Sequence, residues 1–245
     1  MVCNPRKGAD MVLGQKITAI YYTANVIRNP LGERIRNRIL ECIGDMPLIS
    51  VSQKPMDFGH NICVHDIGQS HINIYRQMLI GALEAKTDYV AMVEDDVIYT
   101  PEHFTSYLPP LDVFAYNINS WRIYTWKSKN PVFSHSDRPV ASQLIAPRLQ
   151  LVKTLEEKFD KFEGDPPPEV WKFFCEPGRR ERQLGVTSQK MINFKSTGPG
   201  NIIFTHEDSI AFKNNGTKKM HGPNIKKTIP HWGTVGEIMV EYCCK

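Results

Sequence analysis

The sequence DYVAMVEDDV at residues 88–97 combines the pattern of a buried strand with a cluster of acids. Residues 89–93 form an apolar run without alternation, which is typical of a strand buried on both faces of a parallel sheet. Glu94, Asp95 and Asp96 follow at its C-terminal end, where open α/β sheets place their ligand crevice. Because side chains alternate along an extended backbone, we expect Glu94 and Asp96 to face one side and Asp95 the other.

This acidic triplet is a candidate site for a metal ion. Two neighbouring carboxylates raise each other's pKa unless a cation lies between them. Ligation by oxygen atoms alone suits a hard ion such as Mg²⁺ or Mn²⁺. The alternative is a solvated acidic turn after a strand, and the position behind a buried strand favours the metal site.

The chain before this stretch predicts a β-α-β unit. Residues 16–23 are rich in β-branched and aromatic side chains and predict a first strand. Residues 31–43 carry apolar residues at helical spacing between Pro30 and Gly44, which suit the start and the end of a helix. Residues 48–52 predict a second strand, so the sheet is expected to be parallel with a right-handed crossover.

A further helix is predicted directly before the acidic strand. Ser70 is expected to cap it, and it runs to about Ala85 with an apolar stripe. Asn73, Arg76 and Gln77 lie on another side near its N-terminus, where backbone N–H groups can receive a phosphate or sugar hydroxyls. The alternative for these three residues is ordinary helix surface.

The chain after residue 100 predicts further strands and helices around the same sheet. Thr100 and Pro101 are expected to begin a short helix, and Asn119-Ser120 to turn between two strands. The remaining predictions are strands at 113–117, 122–126, 141–146, 191–194 and 201–204, and helices at 148–163 and 235–242. The fold class is therefore α/β, with a Rossmann-type mixed, mostly parallel central sheet flanked by helices.

The composition is that of an ordinary globular protein. Of 245 residues, 41% are hydrophobic and 23% are charged. No apolar run approaches the roughly 18 residues that span a bilayer, and residues 1–8 show no secretory signal. The six cysteines lack C-x-x-C spacing and are typical of reduced thiols. We therefore expect a cytoplasmic protein without a membrane segment.

The positive charge is concentrated late in the chain. Residues 172–231 contain eleven Lys or Arg and four acids, a balance of +7, whereas the whole chain carries +4. Such a region can bind the phosphates of a nucleotide, a nucleic-acid backbone or an anionic membrane surface. The alternative is a solvated surface that binds no partner.

Together, the order of these elements and two motifs resemble a known family. The motifs are NIYRQ at 73–77 and DYVAMVEDDVIY at 88–99, and with the β-α-β start they resemble the nucleotide-sugar domain of GT-A-fold glycosyltransferases over residues 16–105. Glu94-Asp95-Asp96 looks like the D-x-D element of that family. The resemblance implies that Asp96 binds a divalent metal that bridges the diphosphate, and that Glu94 contacts the ribose, the sugar or a metal-bound water.

The resemblance also implies a donor and its binding residues. The donor is a nucleotide sugar, with a UDP-sugar favoured, and the metal is Mn²⁺ or Mg²⁺. Thr23 and Gln53, at the ends of the first two strands, are placed for the nucleobase and ribose. Arg76, Gln77 and Asp95 complete the expected donor site. We expect one domain over 1–245, with residues 16–105 binding the donor and residues 106–245 on the acceptor side.

Two later motifs carry the remaining expected roles. Glu207-Asp208 resembles the pair whose aspartate is the general base in inverting members, although it can also be a helix-capping pair. His231 is the expected third protein ligand of the metal, ahead of His221, and an imidazole ligand favours Mn²⁺. The basic segment 213–227 is expected to close over the diphosphate and exclude water.

The acceptor and two other functions stay open at this point. Compact cytosolic enzymes of phages glycosylate hydroxymethylated bases in DNA, and this chain is similar to them in size and charge pattern. A nucleotidyltransferase also uses acids at strand ends, but residues 23–28 lack the glycines expected after its first strand. A non-catalytic nucleic-acid-binding protein is the third reading. The sequence leaves the sugar, the nucleobase, the anomeric outcome and the oligomeric state open.

Overall fold

The computed structural model describes residues 16–124, 132–135, 137–162, 164–205 and 224–244. The helices within these ranges are α1 (Leu31–Ile43), α2 (His71–Glu84), α3 (Pro101–Thr105), α4 (Arg148–Asp160), α5 (Glu181–Leu184) and α6 (Val235–Cys243), with 3₁₀ turns at Ala141–Gln143 and Pro168–Val170. The strands are β1 (Ile17–Thr23), β2 (Leu48–Ser52), β3 (His60–Cys63), β4 (Tyr89–Glu94), β5 (Val97–Ile98), β6 (Val113–Asn117), β7 (Ser120–Tyr124), β8 (Phe133–His135), β9 (Leu144–Pro147), β10 (Lys190–Phe194), β11 (Asn201–Thr205), β12 (Asn224–Lys226), β13 (Thr228–Ile229) and β14 (Gly233–Thr234).

The main sheet has seven strands in the order β10-β6-β9-β4-β1-β2-β3. Strands β3, β2, β1 and β4 pair in parallel, and so do β6 and β10. Only β9 runs antiparallel to both of its neighbours in this sheet. The prediction of a mixed, mostly parallel sheet flanked by helices is therefore confirmed.

A second, five-stranded sheet begins where β4 ends. Its order is β12-β8-β7-β11-β5, and β5 pairs antiparallel with β11. The expectation of an extended backbone through Glu94, Asp95 and Asp96 is wrong, because Asp95 and Asp96 form a turn that carries the chain from the main sheet into this second sheet. The predicted turn between 113–117 and 122–126 also differs, since Ser120 already belongs to β7 and the two strands lie in different sheets.

The core lies on both faces of the main sheet, as the unbroken apolar runs predicted. All seven positions of β1 are buried, and so are positions 90–93 of β4. One cluster packs the sheet against α1, α3 and α6, and the other packs it against α2 and α4. Helices on both faces explain why β1 and β4 show no polar alternation.

Several predicted helix ends are confirmed. The Ser70 hydroxyl accepts a hydrogen bond from the backbone N–H of Asn73 at 3.1 Å, which caps α2. Thr100 occupies the cap position of α3, but its hydroxyl donates to the Pro199 carbonyl instead. The predicted strand 141–146 begins with a 3₁₀ turn and then continues as β9. None of the described helices has the length and apolar character needed to cross a membrane.

The packing of Gly81 against β1 predicts that two glycine-to-alanine substitutions differ in their effect on the free energy of unfolding. A Cβ at Gly81 would lie 2.5 Å from Cγ2 of the fully buried Ile20, whereas a Cβ at Gly236 in α6 would meet nothing closer than 3.8 Å. Gly81→Ala should lower the free energy of unfolding by about 1–3 kcal/mol through overpacking. Gly236→Ala should be neutral or stabilising by up to about 1 kcal/mol. Urea unfolding measures both, and equal effects would contradict the packing explanation.

The buried His103 predicts a stability loss at acidic pH. Its side chain is fully buried beside Asn117, whose amide nitrogen lies 3.1 Å from Nδ1, and desolvation lowers the pKa of His103 to about 3. Because the folded pKa is below the unfolded value of about 6.5, the stability contributed by neutral His103 is fully present above pH 6.5. This contribution falls as the pH drops. This group alone should remove about 1.4 kcal/mol per pH unit.

His103→Gln provides the matched variant for this prediction, because glutamine can still accept a hydrogen bond from Asn117 but does not titrate. Urea unfolding between pH 7 and pH 5 should show a steeper loss of stability for the native chain than for the variant. Parallel pH profiles would contradict the assignment.

Candidate functional site

A cavity of about 980 Å³ lies at the carboxyl ends of β1, β2 and β4. The acidic turn after β4 forms one side of it with Glu94, Asp95 and Asp96. Cationic side chains from β7, the segment before β9 and the segment before α5 also line it: Arg122, Arg138, Lys172, Arg179 and Arg180. The cavity therefore brings the predicted acidic triplet together with part of the predicted basic region.

Glu94 is held in place through its side chain and its backbone. The Tyr22 hydroxyl donates to Glu94 Oε1 at 2.6 Å, and the Ser142 hydroxyl makes a second hydrogen bond to the carboxylate. The Glu94 backbone N–H donates to the Tyr99 hydroxyl at 3.0 Å, which in turn donates to the Ser142 carbonyl at 2.9 Å. These contacts fix the Glu94 carboxylate at the cavity wall.

Asp95 occupies a different position from its two neighbours. The Thr23 hydroxyl donates a short hydrogen bond to Asp95 Oδ2. Asp95 lines the large cavity and also a smaller one of about 250 Å³, which contains Arg36, whereas Glu94 and Asp96 line only the large cavity. Glu94 and Asp96 are therefore the pair that shares one space, as expected, although Asp95 and Asp96 lie in a turn and not in an extended strand.

The protein desolvates all three acids, although each residue is only partly buried. Desolvation raises the pKa of Glu94 to about 7 and the pKa of Asp95 to about 6. It raises the pKa of Asp96 well above its usual value, with further increases from the charges of Glu94 and Asp95 and a decrease from Arg122. A cation bound between these carboxylates would relieve both effects.

The donor set fits a hard metal ion that arrives with a phosphate ligand. In the part of the chain that the structure describes, no three His, Cys, Asp or Glu side chains converge on one point. Mg²⁺ is commonly held by one or two carboxylates together with substrate phosphates rather than by a complete protein cage. Glu94 and Asp96 offer those two carboxylates, so they are the residues that would hold the ion.

The basic side of the cavity retains several charges for a ligand. Arg179 pairs with Glu176 at 2.8 Å. Among the described residues, no carboxylate lies within ion-pair distance of Arg138, Lys172 or Arg180. Three cations that line one cavity without acidic partners suit an anionic ligand.

Gln53 and Gln77 line the cavity, but their amides bind the protein backbone. Gln53 Nε2 donates to the Gly68 carbonyl at 2.9 Å. Gln77 Nε2 donates to the carbonyls of Thr23 and Val51 at 2.9 and 2.8 Å. Gln77 therefore ties the carboxyl ends of β1 and β2 together, which places Thr23 beside Asp95.

The structure does not bring Arg76 or His231 to this cavity. Arg76 donates to Asn73 Oδ1, forms an ion pair with Asp165 and lies over the Phe159 ring. His231 is exposed in the turn between β13 and β14, with φ of +74°. Their roles in donor and metal binding stay predictions.

The predicted base pair Glu207-Asp208 and the alternative metal ligand His221 lie outside the described residues. Thr205, the last residue of β11, lines the cavity. The predicted roles of these residues in proton transfer and metal binding are therefore untested.

Sequence reasoning missed Tyr22, Arg122, Ser142 and Trp171 as parts of the site. Tyr22 directly precedes Thr23 at the end of β1, so its proximity to an acid at the end of a neighbouring strand could have been noticed. Arg122, Ser142 and Trp171 carry no local signal, because tertiary packing alone brings them to the cavity.

No model of a known protein family matches the chain, and no curated protein matches it. Several solved structures are similar at low identity. A nucleotidyl transferase from Methanothermobacter shows 13% identity, covers 75% of this chain and 88% of its own, and gives a TM-score of 0.43. A glycosyltransferase involved in glycosylation of the major capsid of PBCV-1 shows 9% identity, and the similarity covers 76% of this chain and 92% of that protein. Its TM-score is 0.41.

The mannosyltransferase PcManGT from Pyrobaculum calidifontis, in complex with GDP-Man and Mn²⁺, is another similar structure. It shows 10% identity, 82% of this chain is covered, and the TM-score is 0.43. This chain spans 65% of the length of that protein. These similarities are too weak to transfer a function, so a functional assignment depends on the cavity of this chain.

The two hydrogen bonds of Gln77 predict a structural cost for its replacement. Gln77→Met preserves the approximate volume but leaves two buried carbonyls without their donor, at about 1–3 kcal/mol for each. The exposed Gln183→Met is the matched control and should change the free energy of unfolding by less than about 0.5 kcal/mol. Urea unfolding measures both variants. A neutral Gln77→Met would show that the amide does not hold the strand ends.

Proposed function

We propose that the chain is a metal-dependent glycosyltransferase that moves a sugar from a nucleotide-sugar donor to an acceptor hydroxyl. The observation that carries this proposal is one cavity with a desolvated acidic turn on one side and, on another, cations that pair with none of the described carboxylates. A divalent ion and a diphosphate together satisfy both charge types. The volume of about 980 Å³ is at the upper end of the usual range for ligand pockets.

The donor is proposed to be a UDP-sugar, in which a hexose or pentose is transferred. When bound at Glu94 and Asp96, Mn²⁺ or Mg²⁺ would stabilise negative charge on the leaving diphosphate. Arg122 and Arg138 line the same cavity, and their positive charge would stabilise that developing charge. Thr23 and Gln53 are the proposed residues for the nucleoside.

A general base is required to accept the proton of the acceptor hydroxyl as it attacks the anomeric carbon. Asp208, with Glu207 beside it, is the proposed base. Asp208 follows Thr205 by three residues, which span at most about 11 Å, and Thr205 lines the cavity. Chain length therefore supports a position for Asp208 near the site.

The proposed acceptor is DNA that contains hydroxymethylated bases. The hydroxyl of such a base supplies the nucleophile, and the balance of +7 over residues 172–231 suits a phosphate backbone. Extrusion of the base from the duplex would cost about a few kcal/mol. Protein and glycan acceptors are the alternatives that an assay with each acceptor distinguishes.

The metal site predicts a selective loss of donor binding in Asp96→Asn. Asparagine preserves the size of the side chain but removes the charge, so stabilisation by UDP-glucose with Mn²⁺ should be lost in a thermal-shift measurement. Ligand at 100 times its dissociation constant stabilises the native chain by about 2.7 kcal/mol. Asp112→Asn, at an exposed aspartate that pairs with Lys190, is the matched control and should respond like the native chain.

Other outcomes of this measurement distinguish the competing functions. Stabilisation by a nucleoside triphosphate with Mg²⁺, but by no nucleotide sugar, would indicate a nucleotidyltransferase. An Asp96→Asn variant that still responds to UDP-glucose with Mn²⁺ would contradict the proposed metal site. A native chain that responds to none of several nucleotide sugars would count against the proposed function.

A further inference from the structure

Residues 171–180 form the segment of the cavity wall that we call the Trp171–Arg180 loop. Its cavity-lining members are Trp171, Lys172, Glu176, Arg179 and Arg180. The Arg180 guanidinium donates to the Lys172 carbonyl at 3.0 Å, which ties the two ends of the loop together. The loop therefore presents one large aromatic ring and three cations along one side of the cavity.

A buried ion pair lies behind this loop. Lys158 of α4 and Glu181 at the start of α5 have exposed side-chain fractions of 0% and 1%, and their Nζ and Oε1 atoms are 2.9 Å apart. Burying both charges costs several kcal/mol per ion, and mutual attraction returns this only when the geometry is good and further hydrogen bonds are made. The hydrogen bonds that Lys158 and Glu181 make with other groups therefore indicate the structural role of this ion pair.

Those other hydrogen bonds go to the backbone of the loop. Lys158 Nζ donates to the Cys175 carbonyl at 3.1 Å, and the Gly178 N–H donates to Glu181 Oε1 at 2.7 Å. The buried Tyr116 hydroxyl donates to the Pro177 carbonyl, also at 2.7 Å. Backbone groups of Cys175, Pro177 and Gly178 are thus anchored from inside the protein.

Gly178 adds a steric constraint to this anchor. Its φ is +92°, a region that disfavours other residues, and a Cβ would lie 2.7 Å from Cβ of Met191. The loop conformation is therefore fixed by charge, hydrogen bonds and close packing together. Loops fixed in this way on a rigid scaffold are where binding residues are concentrated.

Trp171 is oriented but not buried. Its indole Nε1 donates to the Pro166 carbonyl at 2.7 Å, while 43% of the residue stays exposed. An exposed indole leaves apolar surface in contact with water, and a ligand that covers the ring would gain hydrophobic free energy. Lys172 and Arg180 line the same cavity, so this loop offers an oriented ring together with positive charge.

We propose that the Trp171–Arg180 loop binds single-stranded nucleic acid, with a base stacked on Trp171 and backbone phosphates at Lys172 and Arg180. Aromatic rings that stack bases beside cations that follow the backbone are the combination that single-strand-binding surfaces use. A neutral sugar would also stack on an indole, but it carries no negative charge to interact with the cations. In the proposed glycosyltransferase this loop is the acceptor subsite; that role rests on the proposed function, whereas the binding itself does not.

The test measures binding of a fluorescein-labelled twelve-residue thymidine oligonucleotide by anisotropy at 50–200 mM salt. The native chain should bind it with an affinity that falls steeply with salt, because phosphate contacts release counterions. Trp171→Ala should weaken binding about ten-fold or more, and Trp171→Phe should retain most of it, because phenylalanine still stacks.

Two further variants separate specific contacts from general charge. Lys172→Ala should weaken binding and reduce the salt dependence. Lys195→Ala removes an exposed lysine that does not line the cavity and should leave both unchanged. Equal effects of these two lysine substitutions would overturn the proposal, and so would oligonucleotide binding that does not depend on Trp171.

Other ligands test the choice of nucleic acid. Heparin that binds as tightly as the oligonucleotide and depends equally on Trp171 would overturn the preference for a base, and salt-independent binding of a neutral oligosaccharide would overturn the role of the cations. Binding of UDP with Mn²⁺ to the native chain is measured in parallel. Oligonucleotide binding without UDP binding would support this subsite and contradict the proposed function. UDP binding without oligonucleotide binding would support the proposed function and overturn this subsite.

Discussion

The desolvation of Glu94, Asp95 and Asp96, with added repulsion at Glu94 and Asp96, is the constraint around which the cavity is built. Three consecutive carboxylates lie in a turn that the protein desolvates, and the pKa of each is raised. The hydroxyls of Tyr22 and Thr23 hold two of them from the neighbouring strand. Such contacts orient the carboxylates, and the proposed metal ion would add positive charge at this turn.

The position of this turn between two sheets explains how it is kept in place. The chain leaves the main sheet at Glu94 and enters the second sheet at Val97. The backbone N–H of Phe204 donates to the Asp96 carbonyl at 2.8 Å, which joins the turn to β11. Because β4 is central in one sheet and β11 lies beside β5 in the other, the turn has little freedom to relax away from the repulsion.

Local patterns predicted the elements that precede this turn, because hydrophobic periodicity and capping residues act over short distances. The bounds of β1, α1, β2 and α2 follow from such patterns. The break after Glu94 could not be predicted in this way, since it depends on pairing of β5 with a strand about a hundred residues later. Arg76 shows the same limit: its position on α2 suggested a ligand contact, but its ion-pair partner is Asp165, and no local signal connects the two.

The protein treats buried charge in two different ways, and the contrast bears on function. Lys158 and Glu181 are almost completely buried, but each charge faces the other at 2.9 Å. The acidic turn keeps its carboxylates at the cavity wall, and their pKa values stay raised although Arg122 and Arg36 lie near enough to lower them. The three acids lie at the wall of an accessible cavity, where the proposed metal ion, brought by an anionic ligand, would add positive charge.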